Sequence, residues 1–140
     1  MRAIVIYESL TGNTRKAAGL IAAELIAQGV SAVVCPITRI DYQALSQADL
    51  VIVGSWTDGV FVVGQRPGRA GRLRALPVVD GKRALVFCTY ALNPGHVLEK
   101  MTEILTGRGA EVLGGMAIRR DKLADGSREF VARLLEAVEA

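Results

Sequence analysis

Five short apolar runs, separated by helical patterns, constrain this 140-residue chain more than any other feature. They fall at residues 3–7, 31–36, 50–54, 84–89 and 110–118 and are rich in Val, Ile, Leu and Ala, with little polar alternation. A half-solvated antiparallel strand alternates apolar and polar residues, whereas a strand covered on both faces reads as a continuous apolar run. Strands of the second kind, each followed by a helix, build a parallel sheet between two helical layers. All five are therefore expected to be buried, central strands. The length fits one domain and suffices to bury a full core.

The helical stretches carry their own punctuation. The first helix is expected over Thr14–Gln28, its turns marked by Ala17, Leu20, Ile21, Glu24, Leu25 and Gln28, with Gly29 as its stop. A short helix at 42–47 leads into the third strand. Asn93-Pro94-Gly95 opens a later helix, with Asn93 as N-cap and Pro94 as first helical residue. Its stripe of Val97, Leu98, Met101, Ile104 and Leu105 ends near Gly107. The last helix is expected over Ser127–Val138, with Phe130, Val131, Leu134, Leu135 and Val138 inward. Only residues 61–76 break the pattern: an irregular loop is expected there, followed by a helix over about 68–76.

Composition excludes several classes. With 51% hydrophobic and 22% charged residues the chain is globular and not disordered. No apolar run reaches the roughly 18 residues of a membrane-spanning helix. Met1-Arg2-Ala3-Ile4 runs directly into a strand, which leaves no room for a signal peptide, so a cytoplasmic location is expected. The single histidine, His96, sits at the start of a helix and reads as a solvated residue; with two cysteines, no zinc site or Ser/His/Asp constellation can be assembled. The net charge is +3, with Arg66, Arg69, Arg72 and Arg74 in one stretch and Arg119, Arg120 and Lys122 in a second. Either these form a solvated basic face, or they steer an acidic partner or an anionic substrate. So modest a charge without interleaved aromatics disfavours nucleic acid.

The segment with the richest chemistry is Tyr7-Glu8-Ser9-Leu10-Thr11-Gly12-Asn13-Thr14-Arg15, between the first strand and the first helix. A helix N-terminus presents unpaired backbone N–H groups and the positive end of its dipole. Ser9, Thr11 and Thr14 add neutral donors, and Gly12 lets the backbone turn close to a ligand. The lysine of a nucleotide-hydrolysing P-loop is missing. The segment reads as a cradle for a phosphate that is held and not transferred. The plainer reading is a helix capped by Thr11 or Asn13, with no ligand.

The spacing Ser9-x-Thr11-Gly12-x-Thr14 resembles the FMN-phosphate loop of the flavodoxins, T/S-x-T-G-x-T, which also follows a first strand. The resemblance covers nearly the whole chain and corresponds to the short-chain form. It implies an α/β, three-layer, doubly wound flavodoxin-like fold, a five-stranded parallel sheet in the order 2-1-3-4-5, and FMN as cofactor. In such a sheet the ligand lies beyond the carboxyl ends of the strands, where the order reverses between strands 1 and 3. The implied phosphate contacts are Ser9, Leu10, Thr11, Gly12, Asn13 and Thr14. The loop after strand 3 contributes Ser55, Trp56, Thr57, Asp58 and Gly59, and the loop after strand 4 contributes Thr89, Tyr90, Ala91, Asn93 and Gly95. The only Trp and one of three Tyr fall in these loops, so Trp56 and Tyr90 are the implied flanks of the isoalloxazine ring. In the family, a peptide after strand 3 flips when the flavin is reduced; Gly59 either supplies the freedom for such a flip somewhere in 56–60 or merely closes a turn. The same strand order sets Cys35 and Cys88 three spacings apart, on the order of 14 Å. A disulfide needs Cα atoms within about 7 Å, so both are expected as reduced core thiols.

Other doubly wound classes fit poorly. A response-regulator receiver needs an acidic cluster after strand 1 and a lysine ending strand 5, and a dinucleotide-binding domain needs G-x-G-x-x-G after strand 1. The resemblance implies an electron carrier that shuttles electrons between redox partner proteins. Two alternatives stay open: an FMN-dependent oxidoreductase of the same fold acting on a quinone or other small substrate, and a flavin-free binding module. Flavodoxins are strongly acidic and meet basic partners, whereas this chain is basic. An acidic redox partner held by Arg66, Arg69, Arg72 and Arg74 is the corresponding expectation.

Overall fold

Alternate residues of each strand in this parallel sheet feed two separate cores, one on each face. The computed structural model describes residues 1–58, 66–77 and 79–139. Its elements are β1 (Arg2–Tyr7), α1 (Asn13–Ala27), β2 (Ser31–Pro36), a 3₁₀ turn (Ile37–Arg39), α2 (Tyr42–Gln47), β3 (Leu50–Asp58), β4 (Arg66–Pro67), α3 (Ala70–Arg74), β5 (Arg83–Tyr90), α4 (Val97–Gly107), β6 (Glu111–Arg119) and α5 (Leu123–Glu139). Five strands pair in parallel in the order β2-β1-β3-β5-β6. The two-residue β4 pairs antiparallel with the end of β3, through Thr57–Pro67 and Asp58–Arg66. Leaving that ribbon aside, this is the expected 2-1-3-4-5 sheet.

Ala3, Val5, Ile52, Leu85 and Phe87 pack against α1 and α5. Ile4, Ile6, Val51, Val53 and Val86 pack against α2, α3 and α4. Phe87 meets Phe130 of α5 with ring centroids 5.9 Å apart and planes tilted by 55°, which clasps the centre of the sheet to its covering helix. Helices α1 and α4 end in the same way. Gly29 and Gly109 adopt φ of 86° and 92°, and the residue after each donates back to the helix, Val30 to Leu25 at 2.9 Å and Ala110 to Leu105 at 3.1 Å. Gly29 is the expected stop; for α4 the stop is Gly109, two residues beyond Gly107.

Four expectations are corrected. Strands β2 and β6 are edge strands, each with one parallel neighbour, and Val33 and Val34 of β2 remain exposed. An unbroken apolar run therefore does not guarantee a central position. Helix α4 begins at Val97, because Asn93 accepts the Gly95 N–H at 2.8 Å in a local turn and does not cap the helix. Helix α5 begins four residues early, at Leu123, and takes Gly126 into its interior. A Cβ at Gly126 would lie 2.5 Å from Ile118 Cγ2, so glycine there lets α5 settle onto β6. Helix α3 has only five residues, and the irregular loop expected from residue 61 lies outside the described residues as far as 65. Among the described residues, no helix is long and apolar enough to cross a membrane.

Candidate functional site

The strand order reverses between β1 and β3, and their carboxyl ends stand side by side, Tyr7 opposite Gly54. Gly54 is required there by contact: a Cβ would sit 2.0 Å from the Phe87 ring. The loop leaving β1 is pinned by the Glu8 N–H, which donates to the Gly54 carbonyl at 2.9 Å. Gly12 is the N-cap of α1 in a left-handed conformation (φ 96°), and its N–H donates to Ser9 Oγ at 3.1 Å. Asn13 Nδ2 donates to Thr11 Oγ1 at 3.3 Å. Neither Thr11 nor Asn13 caps the helix. The first turn of α1 has no side-chain cap and no acidic residue, so its N–H groups and dipole are left for an anion.

Beside this helix end lies a cleft of about 140 Å³, lined by Leu10, Thr11, Asn13, Trp56, Thr57, Thr89, Tyr90, Ala91 and Arg120. Eight of these are residues the sequence singles out. The ninth, Arg120, was read only as part of a basic run; it follows β6, and its N–H donates to the Tyr90 carbonyl at 2.9 Å. The signal for it was the neighbouring position of the last two strands, which brings their carboxyl-end loops together.

The other described candidates are not among its lining residues. Thr14 is buried, its hydroxyl 2.8 Å from that of Thr89, which ties the start of α1 to the end of β5. Ser55 is buried and donates to the Gly68 carbonyl at 2.9 Å. Ser9 and Gly12 shape the turn, and Asn93 and Gly95 form the turn before α4. Asp58 pairs with Arg66 at 3.1 Å. Gly59 lies outside the described residues. Ser55, Trp56, Thr57 and Asp58 belong to β3 and not to a loop, because Ser55 and Trp56 still pair with Cys88 and Thr89 of β5 and the pairing with β4 prolongs the strand through Thr57 and Asp58.

Trp56 is held firmly. The Gly68 N–H donates to the Trp56 carbonyl at 2.7 Å, and a Cβ at Gly68 would lie 2.0 Å from the indole. Glu8 went unnoticed in the sequence, yet it is the most buried carboxylate of the site. It accepts from Arg69 Nη1 at 2.8 Å and from Arg72 Nη1 at 3.1 Å, which ties the phosphate-loop segment to α3. Arg69 reaches it from a left-handed backbone (φ 50°, ψ 50°). His96 is exposed and pairs with Glu99 at 2.5 Å, as a solvated helix residue does. Both cysteines are free and buried. Burial pushes the Cys88 thiol up to about 12, against a smaller opposing effect of the nearby Thr57 hydroxyl, and burial also raises Cys35.

The family described as Flavodoxin domain matches residues 4–137. No curated protein matches the sequence significantly. Among solved structures, oxidised flavodoxin 2 from Bacillus cereus is 24% identical with a TM-score of 0.73, over 97% of this chain and 99% of that one. Oxidised flavodoxin 1 from the same organism is 22% identical with a TM-score of 0.72, over 99% and 98%. A cysteine-to-serine mutant of flavodoxin from Pseudomonas aeruginosa is 16% identical with a TM-score of 0.75, over the full length of both chains.

Proposed function

Because the chain belongs to the flavodoxin domain family, we propose that it is an FMN-binding electron carrier, a single cytoplasmic domain that passes electrons between redox partner proteins. The observation that supports this most is the meeting of an uncapped helix N-terminus, ringed by hydroxyls, with a cleft between Trp56 and Tyr90. The residues present fit the group. The α1 N–H groups and the Thr11 hydroxyl supply neutral donors to a phosphoester, and Trp56 and Tyr90 supply flat apolar surfaces for a ring. When bound, FMN supplies one- and two-electron chemistry that no side chain offers. The protein's part is to orient the ring, keep water from it and set the charge around it. The two reduced core thiols accord with a cytoplasmic setting.

The partner in this reading is acidic. Arg66 pairs with Asp58, and Arg69 and Arg72 with Glu8, so together with Arg74 the stretch keeps a net +2 (4 − 2). A second reading, an FMN-dependent oxidoreductase, is favoured by a larger cavity that shares Leu10 and Trp56 with the cleft.

A titration of purified protein with FMN, followed by stepwise anaerobic reduction in an absorbance spectrometer, tests both. Tight binding with two resolved one-electron steps supports the carrier. A single two-electron step with turnover of a quinone supports the oxidoreductase, and a protein that binds no FMN removes both.

A further inference from the structure

We propose that Arg120 pairs with the phosphate of the flavin at the N-terminus of α1 and makes the cleft selective for FMN over riboflavin. The inference rests on the FMN reading and assigns a role to a residue that reading did not need. Arg120 is the only charged side chain among the described residues that line the cleft.

Its place follows from the sheet. Strand β6 runs beside β5, and the ladder continues one step past Arg119, where the Arg120 N–H donates to the Tyr90 carbonyl at 2.9 Å. Side chains alternate along a strand, so Arg120 continues the row of Ile118, which packs in the core shared with α1 and α5. Phe87 packs in the same core, and two residues on, the Thr89 hydroxyl stands 2.8 Å from that of Thr14 in the first turn of α1. Arg120 therefore reaches the cleft on the side of the helix end. Its guanidinium is not committed elsewhere. In the same basic run Arg119 pairs with Asp121 at 2.7 Å, whereas Arg120 is exposed and has no ion pair among the described residues.

The helix end carries a second, independent mark of an anion. Arg15 and Lys16 stand in the first turn of α1, exposed and without an ion pair among the described residues. A helix dipole disfavours cations at that position, and no acidic residue of the turn offsets them. Glu8, close by in sequence, is taken up by Arg69 and Arg72. A dianionic phosphate at the helix end receives the uncapped N–H groups, offsets the two cations and gives Arg120 a partner. Riboflavin, which lacks the phosphate, does none of these.

The test is titration of the FMN-free protein with FMN and with riboflavin, read by flavin fluorescence, at about 0.05 and 0.5 M sodium chloride. Arg120→Gln is expected to weaken FMN about tenfold and to leave riboflavin within about twofold. Arg119→Gln, which removes an equal charge one residue away, is expected to change either by no more than about twofold. The preference for FMN should shrink at high salt in the original protein and much less in Arg120→Gln. Equal weakening of both flavins, undiminished FMN binding, or the same loss from Arg119→Gln overturns the proposal and leaves the FMN reading standing. A changed reduction potential with the preference for FMN unaltered places the cation at the ring and overturns it too. Inorganic phosphate separates the two readings. At about 20 mM, against chloride of equal ionic strength, it is expected to raise Tm by about 2 °C or more, and not to do so in Arg120→Gln. Where neither flavin binds, the carrier reading falls. A rise in Tm that depends on Arg120 then upholds its pairing with phosphate, and no rise overturns that as well.

Discussion

Thr14 and Thr89 offer a way to separate what a hydroxyl does for the fold from what it does for a ligand. Their oxygens are 2.8 Å apart and both residues are buried, so water cannot replace a lost partner. Thr14→Val keeps the shape and deletes one hydroxyl, leaving that of Thr89 without its partner, at a cost of about 1–3 kcal/mol. Thr89→Val does the reverse at a similar cost. The double variant removes both polar groups from an otherwise isosteric contact, and its stability is expected to return to within about 1 kcal/mol of the original. The coupling read from the cycle, the sum of the single costs less the cost of the double variant, is therefore at least about 1 kcal/mol. Urea unfolding of the FMN-free protein, followed by circular dichroism, measures it; each kcal/mol corresponds to a shift of about 2–5 °C in Tm for a chain of this size. Strictly additive single variants would refute the bond. The same variants sharpen the cofactor question. Thr11 lines the cleft and is exposed, whereas the Thr14 hydroxyl is engaged with Thr89. Thr11→Val should weaken FMN by about 1–2 kcal/mol with little change in stability, and Thr14→Val should do the opposite.

Three further outcomes follow from single contacts. Gly68→Ala places a Cβ 2.0 Å from the indole; it should cost about 1–3 kcal/mol and red-shift the emission of the only tryptophan, and an unchanged spectrum would show that Trp56 is not wedged there. Glu8→Gln leaves Arg69 and Arg72 facing a neutral amide. Their side chains are 43% and 46% exposed and stay hydrated, so the expected loss is about 1–2 kcal/mol, below the 3–5 of a fully buried pair; a urea titration showing no loss would count against the tie. The Cys88 thiol, whose ordinary value is 9.0, is held at about 12 in the fold. Between these values the unfolded chain has released a proton that the folded chain retains, so stability falls as pH rises, by about 1.4 kcal/mol per pH unit from this thiol. Comparing the alkaline slope of unfolding with that of Cys88→Ala checks it, and identical slopes would contradict the burial.

The strands were legible because burial on both faces leaves a compositional mark. The sheet edges were not, because Val33 and Val34 of β2 carry the same mark and differ only in having one neighbouring strand. Local turn chemistry was legible at Gly29, where one residue supplies the left-handed conformation that ends α1. It misled at Asn93, whose side chain has two local N–H choices and takes Gly95 before the helix begins. At the site, the phosphate-loop residues could be read from spacing, since they are contiguous. Glu8 could not, because its partners Arg69 and Arg72 are 61 and 64 residues away and meet it only once α3 is packed. Ser55 shows the converse: a hydroxyl in a promising position, consumed by a backbone carbonyl that the sequence does not place beside it.

The same long-range pairing changes what the basic stretch can mean. As a sequence, Arg66, Arg69, Arg72 and Arg74 form one surface feature; as a structure they divide by role. Arg69 and Arg72 fasten α3 to the segment that follows β1, and Arg66 fastens the β3–β4 ribbon through Asp58. Reversing the charge of Arg69 or Arg72 would press a second carboxylate against the buried Glu8, so a slower electron transfer in such a variant would report a distorted loop as readily as lost steering. Arg74 has no ion pair among the described residues and stands at the end of α3. Charge there reaches a partner through solvent, where salt screens it over about 10 Å at 0.1 M. A dependence on ionic strength that tracks Arg74 is therefore electrostatics between molecules, whereas one that tracks Arg69 or Arg72 is electrostatics within the fold.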